Sequence, residues 1–345
     1  MVEPWLVLAS LVLEAAVGYP VALHARIPHP VVLAGSAISA LERRWNKPEY
    51  SFGRRRLLGF VAVVLVGGAG VFAGVGVEWG VGRLVEAVSA PGDTAAGASG
   101  ASGVAWMVHL GAVVIVALVG TIGLAQRSLF EHVSNVLRSL RAGDLSASRE
   151  RVSLIVGRDT RQLDATGVSA AALESLAESF NDGIVAPAFW FLVAGLPGLF
   201  AYKVINTADS LIGHKEERWR AFGWTAARVD DVVNLVPARL AGVLLVLAGL
   251  RGFGVMLSDA AKHASPNAGW PEAAMAGALR IRLGGPATYD GVLHERPVFG
   301  TGPAPGVAEL QRGLKLYVIA CGLLWVAIAA VGMAIDMGSG ASWRH

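Results

Sequence analysis

The sequence predicts an all-α polytopic integral membrane protein with four to six membrane-embedded helices, some broken or re-entrant, accompanied by cytoplasmic or interfacial helices. Composition is the first reason: 54% of the 345 residues are hydrophobic and only 16% are charged, a balance too apolar for a soluble enzyme. The second is spacing. Apolar stretches at 5–23, 57–77, 104–125, 184–204, 235–257 and 313–335 each approach the roughly 20 residues that cross a hydrocarbon core. The third is charge placement, since Lys and Arg concentrate in the connections beside these stretches.

Taken in order, "VEPWLVLASLVLEAAVGYP" lacks a basic leader and carries Glu3 and Glu14, so it reads as a retained membrane helix and not as a cleaved signal. Arg26, Arg43, Arg44, Lys47, Arg54, Arg55 and Arg56 follow it and outnumber Glu42 and Glu49, which puts that loop in the cytoplasm. The second span holds glycines at 70, 74, 76 and 80, the last just beyond it, a small-xxx-small spacing that suits close helix packing. Next comes "PGDTAAGASGASG" at 91–103, a flexible loop for the outer face. After the third span, Leu129, Val133, Val136, Leu137 and Leu140 recur at helical period, as expected of a cytoplasmic or interfacial helix.

The fourth span is interrupted by Pro187 and "GLPG" at 195–198. A full crossing there would put the basic segment 202–240 on the wrong side, so a broken or re-entrant hairpin is expected. The whole chain reads as one membrane-embedded domain over 1–345, with N-terminal membrane helices to 125, a polar motif region over 126–312 and a C-terminal membrane helix and tail from 313.

One cysteine, Cys321, excludes disulfides within the chain and thiolate metal clusters. A net charge of only +3, with its cations in membrane-flanking loops, argues against nucleic acid as a partner. Neither G-x-x-x-x-G-K-[ST] nor G-x-G-x-x-G occurs.

Chemistry concentrates between residues 158 and 272. Glu174, Glu178 and Asp182 follow one another at four-residue steps, stacking on one helical stripe while Leu173, Leu176, Ala177 and Phe180 face a neighbour. Like charges so placed repel by roughly 0.2–0.5 kcal/mol per pair, so the stripe calls for a cation, from a basic side chain or a metal. A helix over 226–240 would put Asp230, Asp231 and Asn234 on adjoining faces as hard oxygen ligands suited to Mg²⁺. Lys203, Asn206 and Ser210 line up to offer a cation and two hydrogen-bonding groups to an anionic oxygen. Further polar candidates are Arg158, Asp159, Asp209, Lys215, Arg228, His263, Ser265, Asn267 and Glu272. Basic residues between 215 and 228 also serve as topology determinants, His24 and His29 as caps and packing groups, and Trp190, Trp219, Trp224 and Trp270 as interfacial anchors or a stacking surface.

"GYPVALHARIPHPV", "VGRDT", "ESLAESFNDGIVAP", "AYKVINTADSLIGHKEERWRAFGWTAARVDDVVNLVPARL" and "HASPNAGWPEAAMAGALRIRLGGP" resemble, in order, the adenosylcobinamide-phosphate synthase family of cobalamin biosynthesis, the CobD/CbiB family. The chain departs from that pattern at Gly18-Tyr19-Pro20 and at Ser179. The resemblance implies an integral membrane enzyme that joins aminopropanol, or its phosphate, to a propionate carboxylate of adenosylcobyric acid. Its setting would be the inner membrane, with the site facing the cytoplasm and other cobalamin-biosynthesis enzymes as neighbours.

Amide formation in water needs an activated acid, so ATP and Mg²⁺ are the expected cofactors. Glu174, Glu178, Asp182, Lys203 and Asp231 are the expected catalytic residues, and Glu178, Asp182, Asp230 and Asp231 the metal ligands. Arg158, Asp159, Asn206, Asp209, Ser210, Lys215, Arg228, Asn234, His263, Ser265 and Asn267 are expected to bind substrate. A transporter for an anionic or corrinoid substrate is the rival reading, since ionisable residues in broken spans also mark transport paths.

Overall fold

In the computed structural model, residues 3–18, 29–89, 98–289 and 291–341 are described. Helix accounts for 77% of the described residues, and sheet among them is confined to short strands. The helices are α1 (Pro4–Val17), α2 (Pro30–Trp45), α3 (Phe52–Ser89), α4 (Ala98–Thr121), α5 (Gln126–Arg141), α6 (Leu145–Ser153), α7 (Ala165–Phe180), α8 (Ala186–Ile212), α9 (Glu217–Arg220), α10 (Trp224–Val233), α11 (Leu235–Gly249), α12 (Phe253–Asp259), α13 (Gly269–Leu279) and α14 (Val307–Ala341). A π-helical turn, Asn181–Val185, joins α7 to α8. Strands β1 (Leu283–Gly284) and β4 (Val298–Phe299) pair antiparallel, as do β2 (Ala287–Tyr289) and β3 (Val292–His294).

Among the described residues, four stretches are long and apolar enough to cross a membrane: Phe52–Val88, Trp106–Arg141, Ala165–Ile212 and Val307–Gly338. The broken pair α10 and α11 makes a fifth if it counts as one span. The chain is therefore a multi-pass helical membrane protein.

Several expected boundaries move. Helix α1 stops after 14 residues because Gly18 takes φ 65°, ψ −165°, a conformation open mainly to glycine; residues 19–28, with His24 and most of the first motif, lie outside the described residues. The expected loop at 91–103 is helical from Ala98, and its earlier part is likewise outside them. The expected helix over 226–240 is interrupted at Asn234. Pro237 is the reason: it has no N–H to give Val233, so the chain restarts as α11 with the proline harmless in its first turn. The fifth span ends at Gly249, followed by Leu250 and Gly252 in left-handed conformations. A Cβ on Gly252 would lie 2.6 Å from the Ala278 nitrogen, so glycine lets the backbone pass against α13.

The chain divides into two units. The first comprises Met1–Leu124, Pro187–Asp230 and Val331–His345. Its core gathers Ile38, Ala62, Val63, Ala208, Ile212, Phe222 and Ala226, and full burial of a side chain such as Phe222 stabilises by about 1.5–3 kcal/mol. Gly59 and Gly74 permit the helix contacts: a Cβ would stand 1.8 Å from the Phe222 carbonyl oxygen at the first and 2.3 Å from the Pro197 nitrogen at the second. Gly70 also packs closely, against Phe200, whereas Gly76 and Gly80 face open space, so the expected glycine spacing works only in its first half.

Helix α8 is kinked at Ala194 and Gly195, as the "GLPG" break predicted. The Leu196 N–H, which the kink releases from the helix ladder, donates to Glu78 Oε1 at 2.8 Å, the local repair that membrane backbone requires. Elsewhere, Arg218 grips Glu42 with two hydrogen bonds of 3.0 Å. Burial alone would raise the Glu42 pKa, but bonds from Arg218 and Asn46 bring it below its ordinary value. His29 caps α2, its Nδ1 accepting from Val31 N–H at 3.2 Å.

The second unit comprises Ala125–Ala186 and Asp231–Ala330. Helix α5 buries Leu129, Val133, Val136, Leu137 and Leu140, the stripe read from sequence. Helix α7 starts on Asp164, whose carboxylate accepts from Gly167 N–H at 2.6 Å, the N-cap geometry that satisfies an orphan donor. Its Leu173, Leu176, Ala177 and Phe180 are wholly buried. Phe180 meets Tyr317 edge-on at 5.8 Å, and Tyr317 donates its hydroxyl to the Gln126 carbonyl at 2.8 Å.

The π turn has a cause in sequence. Pro187 cannot bond the Gly183 carbonyl four residues back, and its ring crowds that oxygen. The carbonyl instead accepts from Ala125 N–H at 3.0 Å, starting α5.

Candidate functional site

Helix α7 sets Glu174 inward, 3% exposed, where an uncompensated charge would be costly. Three donors meet it. Gly284 N–H reaches Oε1 at 2.9 Å; Arg158 and Arg296 both reach Oε2, the latter at 2.9 Å. The cation demanded by the acidic stripe is thus a pair of arginines. Arg158 arrives from the loop before α7, Arg296 from the loop between β3 and β4.

Glu272, in the first turn of α13, is the second buried acid, at 1% exposure. His263 Nε2 and Arg296 Nη2 lie 3.7 Å from its two oxygens, close enough for Coulomb attraction but beyond hydrogen-bond length. Its Oε2 has no hydrogen-bond partner among the described residues. Burial first, then the nearby charges of Glu178 and Glu174, push the Glu272 pKa well above the carboxylate range, against the pull of Arg296 and Arg158. His263 is held by Ser265 N–H, which donates to Nδ1 at 2.9 Å; the neutral ring then carries its proton on Nε2, toward Glu272. Arg296 responds in the opposite sense: burial favours its neutral form, yet Glu174 and Glu272 raise its pKa overall.

The expected acids separate by environment. Glu174 is buried, Glu178 exposed and Asp182 half-buried, the last lying in the π turn that begins at Asn181 and ends the four-residue stripe. Asn181 Nδ2 donates to Asp182 Oδ1 at 2.7 Å and to Asn234 Oδ1 at 2.8 Å. Asn234 therefore faces Asn181. Asn267 Nδ2 donates to the Asp231 carbonyl at 2.8 Å, and its Oδ1 faces Arg239 at 3.5 Å. Ser265 Oγ accepts from Asn267 N–H at 3.2 Å, ordering the turn into α13. Asp159 is taken by Arg161, whose side-chain and backbone bonds lower its pKa to about 2.

The first unit holds the other group. Lys203, Asn206 and Ser210, on α8, line a cavity of about 620 Å³ with Ser36, Ser39 and Arg43 of α2. Asn206 Nδ2 donates to Asp230 Oδ1 at 3.4 Å. Asp209 is half-buried beside this row, and Lys215 and Arg228 are exposed.

Sequence reasoning named Glu272 only in passing and missed Arg296 and Asn181. Glu272 carried a signal, a lone acid followed by "AAMAGAL". Arg296 carried none, since nothing local marks a loop arginine as the partner of an acid 122 residues away. Among the described residues, no three of His, Cys, Asp and Glu form a ready-made metal cage.

A multi-pass helical protein with a buried Arg-Glu-His cluster is the class that fold and site define. The chain belongs to the CobD/CbiB family: the family described as CobD/Cbib protein matches residues 7–317. The cobalamin biosynthesis protein CobD of Rhodobacter capsulatus is 46% identical over 316 residues, covering 90% of this chain and 92% of that one. CobD of a Sinorhizobium species is 42% identical over 337 residues, 94% of this chain and 96% of its own. CobD of Brucella suis biovar 1 is 43% identical over 340 residues, 94% and 97% respectively. No solved structure matches. Membership supports a role in cobalamin biosynthesis.

Proposed function

We propose that the chain is a cobalamin-biosynthesis enzyme forming an amide between a propionate of adenosylcobyric acid and aminopropanol or its phosphate, with the Glu174–Glu272 cluster as its centre. The supporting observation is Glu272: an acid buried 3.7 Å from both Arg296 and His263, with one oxygen unpartnered among the described residues and its pKa raised, first of all by burial. A carboxylate so placed holds an acquired proton more tightly than an exposed one, which suits a general base. An amine reaches the site as an ammonium ion, which cannot attack. Exposed Glu178 attracts it and Glu272 accepts one proton, freeing the lone pair; as the nitrogen bonds to the acyl carbon and the bond from that carbon to the activating group breaks, the second proton leaves with that group. Arg158 and Arg296 fix Glu174, and Arg296 also faces the charge that gathers on the acyl oxygen.

ATP would supply the activation of the carboxylate and Mg²⁺ the neutralisation of its phosphates, with Glu178 and Asp182 as the residues to hold the ion. The inner membrane, a cytoplasmic site and docking to neighbouring pathway enzymes belong to the same reading.

Purified protein in detergent, given ATP, Mg²⁺, adenosylcobyric acid and aminopropanol phosphate, should yield the amide by mass spectrometry. Glu272→Gln should reduce the rate at least a hundredfold at neutral pH, with less loss at higher pH, where more amine is already neutral. Absence of product with the wild type, or wild-type turnover by Glu272→Gln, would overturn the proposal. Labelling of single cysteines at 207, 235 and 265, in a chain with Cys321→Ser, should place all three on the cytoplasmic face.

A further inference from the structure

We propose that the first unit binds an anionic phospholipid, with the phosphate in the polar cavity of α2 and α8 and an acyl chain in an apolar cavity beside it. The inference is independent of the catalytic reading. Two cavities adjoin, sharing Val31 and Lys203 as lining residues. The polar one, about 620 Å³, offers Lys203 and Arg43 with the hydroxyls of Ser36, Ser39 and Ser210. These are point-charge and hydrogen-bonding groups matched to a phosphate monoanion. The second, about 550 Å³, lies among α2, α3, α4 and α8 and is lined by apolar and small residues except for Lys203.

Both volumes lie within the range of about 300–1,000 Å³ typical of small-molecule sites. A nucleotide or a short phosphate ester would use the first and leave the second without a partner. Only an amphiphile uses both, and it would place its charge at the lysine where the cavities meet. The bilayer supplies such molecules, and the second cavity lies against the membrane-length segments that carry α3, α4 and α8.

The full-length chain in nanodiscs of phosphatidylcholine doped with phosphatidylglycerol tests this, with retained lipid counted by native mass spectrometry after transfer to detergent. Wild type should retain phosphatidylglycerol. Arg43→Gln should lower that retention about tenfold while leaving phosphatidylcholine unchanged, and Ala73→Phe should lower retention by filling the apolar side. Ala37→Leu narrows the same cavity from α2 and serves if Ala73→Phe fails to insert. Millimolar inorganic phosphate should not displace the lipid. Retention unaffected by both the charge and the filling variants, or complete displacement by inorganic phosphate, overturns the proposal in favour of a soluble phosphate ligand or none.

Discussion

Replacing Arg296 by Met tests how the buried cluster holds together. Arg296 is 17% exposed in its side chain and lies 2.9 Å from Glu174 and 3.7 Å from Glu272. At an effective dielectric of about 20, a pair at 2.9 Å carries a gross attraction of roughly 6 kcal/mol. Most of it repays the desolvation of both groups, so the net worth of the pair is small, but removing one partner strands the other. That costs about 3–5 kcal/mol, since Glu174 would keep only Arg158 and the Gly284 N–H. Taking about 2–4 °C per kcal/mol for a unit of this size, the unfolding midpoint in detergent should fall by roughly 6–20 °C, followed by tryptophan fluorescence.

The double variant Arg296→Met, Glu272→Gln removes one of the acids that the arginine served, so it should recover about 1–3 kcal/mol of the loss. A midpoint within about 1 °C of wild type for Arg296→Met, or no recovery in the double variant, would refute the reasoning.

Two further outcomes are expected. Because Glu272 has a folded-state pKa above its ordinary 4.5, its contribution to stability is fully present below that value and is lost as pH rises toward the raised one; midpoints measured across this window should fall more steeply for wild type than for Glu272→Gln. In α3, Gly74→Val drives a side chain into the Pro197 backbone and should cost about 1–3 kcal/mol, whereas Gly76→Val meets open space and should stay within about 0.5 kcal/mol in denaturant titrations.

What could be read from the sequence was what periodicity and charge repulsion control. The buried faces of α5 and α7 and the kink at "GLPG" follow from local pattern, and the need for cations beside the acidic stripe follows from Coulomb's law. Which cation answered could not be read, because Arg296 reaches Glu174 through two strand pairs of two and three residues each, too short to leave an alternating pattern. The stripe itself was drawn too regularly: its third member, Asp182, falls in a π turn that Pro187 creates. The helix expected through Asn234 failed for the same kind of reason, a proline with no N–H to offer the carbonyl four residues upstream, that of Val233.

One carboxylate, Glu174, receives bonds from residues 158, 284 and 296, and this sets an order of events during synthesis. A growing polypeptide that has emerged only as far as 290 already contains Glu174 and Glu272 but not the arginine that serves both. Until the ribosome has delivered the last of these contributors, that half of the protein holds an excess of buried acid and should remain open to quality-control proteases. Truncations that end before 296 should therefore be degraded, even though most of their helices are already made.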